Sequence, residues 1–337
     1  MSEPEDLLRW LASDDVAAPD GHCLSWWNPS RPGYPYPEIS GLLLHLLSLE
    51  HRAAETRERL TGALLAEHAT GVGVRRHGLA YTFDTAMALR GLLAADDASV
   101  HSGVATDWAL VLIEAAQRRS ATAGVPRPEP PTGPQPLEPQ TRWSLAFGGH
   151  QAKVCGALLD YRRRYGPLPG LAEAVEVLAG AALSVQDGDG RFRIHARSHL
   201  TYTHSHCYAV EGLLQRAADA GARGGWPEPV VAGAHWLAGA QQPDGGLRAW
   251  HDGVQASGAR HADATAQALR IWLVVDPDRY AEPAARARDF LWRLWVPPRG
   301  LRYSDDSDDV NAWATIFAAQ ALAWQAEPGR ADAARIV

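Results

Sequence analysis

The sequence predicts an all-α protein in which six helical hairpins close into a single (α/α)6 toroid over residues 1–337. Three observations lead to this prediction: glycine turns at a regular spacing, two helix-like runs between successive turns, and no alternating pattern of β-branched residues. The turns at Gly78, Gly190, Gly246 and Gly300 are separated by about 55 residues or twice that distance, and a fixed period of this size indicates a repeat architecture.

Extending the same period in both directions completes six units. One step before Gly78 lies Gly21, and one step after it lies Gly133. Gly133 belongs to the stretch 120–140, which includes ATAGVPRPEPPTGPQPLEP and is too rich in proline for a helix interior. We therefore predict a surface loop there, lying over one face of the ring. Two interpretations of it stay open: a passive surface excursion, or a lid that places Trp143 over the central cavity.

Each unit between turns predicts two helices. After Gly190, HSHCYAVEGLLQRAADAG is one amphipathic run and WPEPVVAGAHWLAGAQQ is the next, with proline in its first turn. The same pairing recurs in GHQAKVCGALLDYRRRYG with LAEAVEVLAGAALSVQ, and in HADATAQALRIWLVV with AEPAARARDFLWRLW. A hairpin cannot bury its apolar face alone, so the pairs are expected to stack in a ring. Because the last outer run, EPGRADAARIV, is short, the N-terminal run EDLLRWLASDD is expected to complete or brace the closure.

Composition excludes several classes of partner. The formal net charge of −7 and a pI near 6.0 disfavour nucleic acid. The chain shows no basic start followed by an apolar run, and no apolar stretch long enough to cross a bilayer. Three cysteines without a CxxC pair agree with a reducing compartment, so a cytoplasmic protein is expected. The sequence leaves the oligomeric state open.

Polar and ionisable residues stand at the start of each inner helix. Each of several inner-helix runs contains a Leu-Leu pair. When the runs are aligned on these pairs, Glu38, Asp84, His150 and Ser205 stand at equivalent positions. Because inner helices that run the same way bring their N-termini together, these side chains are expected on one mouth of a central cavity, where the helix dipoles favour anions. Asp and Asn are also preferred N-caps, which is the simpler interpretation of any one of them. Histidine is not a preferred cap, and beside carboxylates it supplies acid–base chemistry near neutral pH.

The stretch THSHCYAVEGLL carries the densest set of such groups. We predict a helix that begins near Ser205, with His204 and His206 at its entrance and at least one of them facing the cavity, near Glu38, Asp84 or His150. A zinc site is the competing interpretation, because His195, His199 and Cys207 lie nearby. The spacing matches neither HExxH nor paired CxxC, so we expect no metal site and no organic cofactor.

The glycine turns AQQPDGGLRAW and SVQDGDGRF resemble the repeat shared by squalene-cyclase and protein-prenyltransferase toroids. YPEISGLLLHLL, LTYTHSHCYAVEGLL and VNAWATIFAAQAL are similar to segments of bacterial toroid proteins associated with polysaccharide biosynthesis. The resemblance implies an α/α toroid and points to Glu38, the histidines of THSHC and Asn311 as site residues. Toroids host epimerases, lyases, hydrolases and cyclases, so the fold does not choose the reaction.

The leading hypothesis is an enzyme that moves a proton on a sugar or other polyhydroxylated small molecule or glycan, as an epimerase or isomerase does. The expected acids and bases are Glu38, His150, His204 and His206. The expected hydroxyl-binding residues are Asp84, Asp263 and Asn311, and the expected stacking residues are Trp26, Trp27, Trp143 and Trp313.

Two alternatives remain open. DSDD, Asp306 to Asp309, resembles the DxDD motif of class II terpenoid cyclases, in which Asp308 would protonate an alkene and tryptophans would stabilise carbocations. The chain is short for such enzymes, which generally use two helical domains, and acidic residues ahead of a helix also arise from capping. The second alternative is a non-catalytic toroid that binds a glycan or a peptide.

Overall fold

A computed structural model describes residues 4–68, 73–76, 79–95, 101–123, 143–222 and 224–337. Two concentric sets of helices make up this part of the chain, as the sequence predicts. The inner helices are α2 (Pro37–Leu49), α4 (Thr82–Ala95), α6 (Val154–Tyr165, preceded by a 3-10 helix at Gly149–Lys153), α8 (Thr203–Asp219), α10 (Ala262–Val275) and α12 (Ala312–Ala326). The outer helices are α1 (Pro4–Leu11), α3 (Ala54–His68), α5 (Ser102–Gln117), α7 (Leu171–Leu183), α9 (Glu228–Ala240) and α11 (Ala281–Leu294).

Each inner helix packs against the next one in the chain, and α12 packs against α2, which closes the ring. Most residues of the inner helices are buried, because these helices are covered by neighbours on both sides and by an outer helix behind. Helix α1 packs on α12, so the N-terminal run supplies the outer partner of the last inner helix. The run EPGRADAARIV forms no α-helix, only short 3-10 turns at Pro328–Arg330 and Ala333–Arg335.

Short strands connect the helices at the N-terminal end of the inner ring. Strand β1 (Trp26–Trp27) pairs with β8 (Val310–Asn311). The other strands form two small antiparallel sheets. They are β2 (Arg75–Arg76), β3 (Leu79–Tyr81) and β4 (Thr122–Ala123) in one, and β5 (Thr201–Tyr202), β6 (Leu247–His251) and β7 (Ala256–His261) in the other. The predicted loop at 120–140 lies outside the described residues from 124 onward, as do Gly78 and Gly133.

One hydrogen bond recurs in five of the repeats and joins the turn to the inner helix. The side chain of the fourth residue of the inner helix accepts from a backbone N–H that lies one or two residues after a glycine, at 2.9–3.1 Å. In the second repeat this glycine is Gly73 and not Gly78. The acceptors are Ser40, Thr85, His206, Thr265 and Thr315, and the donors belong to Cys23, Val74, Phe192, Leu247 and Leu301. The repeat is therefore held by a buried polar contact as well as by apolar packing.

Inner helices α2 and α4 approach each other closely at two glycines. A Cβ added at Gly41 would lie 2.6 Å from Ala88 Cα, and one added at Gly91 would lie 2.6 Å from the Gly41 carbonyl oxygen. Only glycine allows the two backbones to approach this closely.

Gly41→Ala is therefore expected to destabilise the protein by about 1–3 kcal/mol, since the added methyl must push α2 away from α4. Gly62→Ala is the matched control: it lies within outer helix α3, where an added Cβ meets nothing within 4 Å. This control is expected to stabilise by roughly 0.5–1 kcal/mol, because alanine favours a helix interior over glycine. Urea denaturation measures both, and equal effects of the two substitutions would contradict the close approach.

The far end of the ring axis holds a buried polar cluster around the last residues of the sequence. The Val337 carbonyl oxygen accepts from Lys153 Nζ and from an Arg270 Nη, each at 3.0 Å. Glu211 accepts from Lys153 Nζ at 2.9 Å and from Arg270 Nη2 at 2.6 Å, and the side chains of all three are fully buried. Burial lowers the pKa of Lys153 to about 7, although the charge of Glu211 opposes that shift. Charged groups from several inner helices thus meet at the axis.

Among the described residues, no helix is long and apolar enough to cross a membrane.

Candidate active site

The N-terminal ends of the inner helices surround a cavity of about 410 Å³. Its lining combines aromatic rings, carboxylates and one imidazole. The lining residues are Trp26, Tyr34, Tyr36, Glu38, Tyr81, Phe83, Asp84, Ser144, Tyr202, His204, Asp263, Tyr303, Asp309, Asn311 and Trp313. Of the residues expected from the sequence, the structure brings Glu38, Asp84, His204, Asp263, Asn311, Trp26 and Trp313 together here.

Helix geometry explains why these side chains meet. Glu38, His204, Asp263 and Trp313 are each the second residue of an inner helix, and Asp84 is the third residue of α4. Equivalent positions on helices that are related around a ring point in the same direction relative to the axis. The same helix ends carry exposed backbone N–H groups, which favour acidic side chains in the first turn.

His204 and Asp263 form an acid–base pair in the cavity. His204 Nδ1 lies 3.1 Å from Asp263 Oδ2, and their side chains are 8% and 4% exposed. Burial alone would raise the pKa of Asp263, but the charge of His204 and the hydrogen bond from it outweigh burial and lower that pKa. An ionised carboxylate favours a proton on the ring nitrogen beside it, so we assign the proton of neutral His204 to Nδ1, which leaves Nε2 as the basic nitrogen.

Two tyrosines and a second histidine support this pair. The hydroxyls of Tyr202 and Tyr303 are 3.0 Å apart, and the ring of His261 packs on Tyr303 at 4.5 Å between centroids. His261 Nδ1 lies 3.8 Å from Asp263 Oδ1. Burial, followed by the charge of Asp263, raises the pKa of both tyrosines, so both remain neutral hydroxyls at neutral pH.

The opposite wall is a row of aromatic rings with Glu38 at its base. Centroids are 5.3 Å apart for Trp26–Tyr34, 5.6 Å for Tyr34–Tyr36 and 4.8 Å for Tyr36–Trp313. Trp313 Nε1 donates to Glu38 Oε1 at 3.1 Å, which orients the carboxylate. The aromatic faces suit the C–H face of a sugar ring, and the carboxylates suit its hydroxyls.

Asn311 both lines the cavity and caps α12. Its side-chain oxygen accepts from the Ala314 backbone N–H at 2.9 Å. The side-chain oxygen of Asn311 therefore caps the helix, while its amide nitrogen is a separate donor that could bind a substrate hydroxyl.

The acidic motif DSDD lies at the edge of the cavity. The aspartate that lines the cavity is Asp309 and not the expected Asp308. Asp309 lines the cavity and accepts from Asn28 Nδ2 at 2.7 Å and from Arg31 Nη2 at 3.1 Å. Asp308 is exposed and does not belong to the lining. A proton donor to an alkene needs a water-excluded cavity, so the structure gives the cyclase alternative no support.

His206 does not face the cavity. Its Nδ1 accepts from the Phe192 backbone N–H at 3.1 Å, its Nε2 contacts the Gly233 carbonyl oxygen at 3.1 Å, and its ring packs on Trp236. The helix begins at Thr203 and not near Ser205, so residues 204 and 206 already have helical geometry. Two residues apart on a helix, the rings point to opposite sides, and His206 faces outer helix α9.

His150 is also outside the lining, although it lies close behind it. It is fully buried, with its ring 5.9 Å from that of Phe83 and Nε2 2.9 Å from Gln151 Nε2. Burial, then the charge of His204, lowers the pKa of His150 to about 3. Burial likewise lowers the pKa of His206 to about 3. Both histidines are neutral at neutral pH.

These two histidines predict a specific loss of stability in acid. The ordinary pKa of histidine is 6.5, and in the folded protein the pKa of each of these two is about 3. Between these pH values the unfolded state binds a proton at each histidine and the folded state does not. Stability is present above pH 6.5 and is lost toward pH 3, by roughly 1.4 kcal/mol per unit and per histidine.

His206→Thr installs the residue that three other repeats use at this position, and it removes one of the two titrating groups. At neutral pH we expect the variant to be less stable than the unchanged protein. This difference in the free energy of unfolding should be smaller by roughly 3 kcal/mol at about pH 4. Urea denaturation of both proteins across this range measures the difference. A deficit that does not change with pH would show that His206 takes up its proton in the folded state.

Two of the expected tryptophans have other positions. Trp27 follows Trp26 in strand β1, where successive side chains point to opposite faces, and its ring packs under the Arg299 guanidinium at 3.7 Å. The backbone of Trp143 lies in a 3-10 turn, Trp143–Leu145, next to lining residue Ser144. The expected stacking of Trp143 concerns a side chain outside the described part of the chain.

None of the five tyrosines that line the cavity was predicted from the sequence. A signal was present, because Tyr36, Tyr81 and Tyr202 each stand directly before an inner helix, in YPE, YTFD and YTH. Phe83 holds the same second position of its helix as Glu38 and His204, and Asp309 was expected as part of DSDD. Tyr34, Ser144 and Tyr303 carried no comparable repeat signal. Among the described residues, no group of three or more His, Cys, Asp or Glu side chains is arranged to hold a metal ion.

No protein-family model and no curated protein sequence matches the chain. Several solved structures share its fold. A sugar epimerase from a ruminal bacterium matches with a TM-score of 0.66 at 12% identity, over 94% of this chain and 97% of the other. Cellobiose 2-epimerase from Bacillus thermoamylovorans matches with a TM-score of 0.67 at 11% identity, over 94% and 95%. Unsaturated glucuronyl hydrolase from Bacillus sp. GL1 matches with a TM-score of 0.69 at 15% identity, over 96% of both chains. At these identities the likeness establishes the α/α-toroid fold and leaves the reaction to the residues of the cavity.

Proposed function

We propose that the protein is an enzyme that inverts or isomerises a stereocentre of a sugar or other polyhydroxylated substrate by proton transfer. The observation that carries the proposal is the His204–Asp263 pair, which opens into the same cavity as Glu38 and Asp84. The names of two toroids of the same fold, a sugar epimerase and a cellobiose 2-epimerase, support the sugar class.

The chemistry follows from the two kinds of group. His204 Nε2 would take a proton from the carbon next to the substrate carbonyl, while Asp263 stabilises the resulting imidazolium through Nδ1–H. A protonated group on the opposite face would return a proton to the same carbon, and Glu38, oriented by Trp313, supplies a candidate carboxyl. Asp84 and Asn311 would hold hydroxyls, and Trp26 and Trp313 would stack on the ring. The proposal leaves out His150 and His206, since neither lines the cavity.

Solvent deuterium incorporation tests this proposal. Reducing mono- and disaccharides are incubated with the protein in deuterated water and followed by NMR, with heat-inactivated protein as control. One sugar class should gain deuterium at a single carbon, with its epimer or isomer appearing in step. If a sugar binds in the cavity and no carbon-bound proton exchanges in any class, proton transfer is not the reaction.

Glycoside hydrolysis is the second candidate, because the cavity also holds several carboxylates, and hydrolysis uses a carboxylate pair around the scissile bond. Unsaturated glucuronyl hydrolase shares the fold. The same incubation separates the two reactions. Hydrolysis releases a new reducing end without deuterium on carbon, whereas epimerisation keeps the glycosidic bond.

A further inference from the structure

The proposed proton transfer needs a hydrogen-bond donor as well as a base. When His204 Nε2 takes the proton, the electron pair of the C–H bond forms a carbon–carbon double bond and the carbonyl electron pair moves onto oxygen. The product is an enolate, whose oxygen carries negative charge. Enzymes stabilise such an oxyanion with donors that are fixed in place before the reaction. A fixed donor is therefore expected beside His204.

Two neutral hydroxyls lie beside the base. Tyr202 Oη and Tyr303 Oη are 3.0 Å apart, and both residues line the cavity. The ring of Tyr202 lies 5.8 Å from that of His204 between centroids. In the substrate, the carbonyl oxygen is two bonds away from the carbon that loses its proton. The donor therefore has to lie next to the base, as this pair of hydroxyls does.

The backbone fixes both tyrosines to the helices that carry the acid–base pair. Tyr202 directly precedes α8, two residues before His204, and is 8% exposed. The carbonyl oxygen of Tyr303 accepts from the Ala262 backbone N–H at 2.8 Å, and Ala262 is the residue before Asp263 in α10. Such a donor stabilises an oxyanion effectively because it needs no reorientation during the reaction.

A pair of hydroxyls is a stronger donor than a single one. One hydroxyl donates to the other, and the accepting hydroxyl can direct its own hydrogen to the substrate. Accepting a hydrogen bond polarises that hydroxyl and strengthens the bond it donates. Asp263 would oppose a second negative charge nearby, but His204, 3.1 Å from it, becomes a cation in the same step and offsets this charge.

We propose that the hydroxyl pair of Tyr202 and Tyr303 binds the carbonyl oxygen of the substrate and stabilises its negative charge in the enolate. One hydroxyl touches this oxygen, and the other donates to that hydroxyl. Neither tyrosine loses its proton, and the carbonyl forms again when the carbon is reprotonated. This inference rests on the proposed function, because it assumes that an enolate forms in the cavity. It adds the group that stabilises the enolate.

Tyr202→Phe and Tyr303→Phe test the pair by deuterium exchange, since each removes only a hydroxyl. At least one should lower the rate of solvent deuterium incorporation by about 10²-fold, the usual cost of one oxyanion donor, while aldose affinity changes far less. The double variant should lose little more than the larger single loss, because the two hydroxyls act as one donor.

Tyr280→Phe is the matched control. It removes the hydroxyl of a buried tyrosine that packs on Trp272, away from the residues that line the cavity. Its exchange rate should equal that of the unchanged protein.

Binding of an enolate mimic gives a readout that does not depend on turnover. Sugar hydroxamates imitate the planar enediolate of an aldose. Arabinonohydroxamate is compared with glucose and mannose, and lyxonohydroxamate with galactose and talose, by calorimetry. At least one hydroxamate should bind about 10- to 10²-fold more tightly than its aldoses, and Tyr202→Phe or Tyr303→Phe should remove most of that preference. A variant that only loosens the cavity would weaken both kinds of ligand alike.

The outcome is separable from that of the proposed function. If a sugar exchanges deuterium and both single variants keep the full rate, the tyrosine inference fails and proton transfer stands. If no sugar exchanges deuterium but a hydroxamate binds preferentially through the tyrosine hydroxyls, proton transfer fails and the oxyanion site stands. Hydroxamates that bind no more tightly than the aldoses would overturn the inference.

Discussion

His204→Gln is expected to lower the rate of solvent deuterium incorporation by about 10²- to 10⁴-fold, which is the usual contribution of a positioned general base. Glutamine keeps a polar group of similar length but cannot accept a proton at neutral pH. Because the cavity wall and the carboxylates remain, substrate affinity should change far less than the rate. Single-turnover exchange together with calorimetric binding separates the two quantities.

His206→Thr is the matched control for this substitution. It changes a histidine two residues away on the same helix, whose ring nitrogens contact backbone groups of Phe192 and Gly233. After correction for the folded fraction, its exchange rate should equal that of the unchanged protein. Loss of activity in both variants, or in His206→Thr alone, would contradict the assignment of His204 as the base.

Asp263→Asn separates a positioning role from a structural one. Asparagine can donate to Nδ1 and so favours the tautomer with its proton on Nε2, which removes the base. We expect a large loss of rate with a shift in the pH–rate profile, because the carboxylate no longer stabilises the imidazolium. A purely structural role would lower stability and leave the position of that profile unchanged.

Glu211→Ala is expected to destabilise the protein by about 3–5 kcal/mol, a large share of the 5–15 kcal/mol that typically holds a domain together. The carboxylate contacts both Lys153 and Arg270, and all three side chains are fully buried. Burial would raise the pKa of Glu211, but Arg270 and Lys153 outweigh it and lower that pKa, so the group is ionised. Without it, Arg270 is a buried cation that has lost this carboxylate, and the pKa of Lys153, which Glu211 raises against burial, falls below its present value of about 7, so the lysine loses its proton.

Glu176→Ala provides the control for Glu211→Ala. Glu176 pairs with Arg216 across α7 and α8, but their side chains are 63% and 37% exposed. Exposed pairs contribute at most about 1 kcal/mol, so this substitution should cost little. Guanidinium denaturation of the two variants gives the comparison. A cost below about 1 kcal/mol for Glu211→Ala would mean that water reaches the cluster and replaces the carboxylate.

The ring and much of its mouth could be predicted from the sequence, because both depend on periodicity. The spacing of turns placed the inner helices, and the polar residues at their starts included Glu38, Asp84, His204 and Asp263. Glu38, His204 and Asp263 meet in one cavity because a ring repeats the same helix position about a common axis, and Asp84 lines it from the next position of its own helix. The N-terminal helix was also identified as the closing partner, since the run at the opposite end is too short.

The identity of the inward-facing residue could not be predicted in every repeat. One residue of error in the start of a helix turns a side chain by about 100°, and sequence-based boundaries are uncertain by more than that. The alignment that matched Ser205 with Glu38 carries this error, since His204 is the equivalent residue. The same uncertainty concealed that His206 replaces the serine or threonine that binds the turn in four other repeats.

The sequence alone determined the fold class, the order of the helices and the end of the ring that carries polar groups, because all three follow from local patterns along the chain. Only the tertiary structure decided the partners across the ring: Asp263 for His204, Trp313 for Glu38, and Glu211 between Lys153 and Arg270. These pairs join residues 58 to 275 positions apart, and such contacts depend on the rotation and depth of whole helices, which no local pattern specifies.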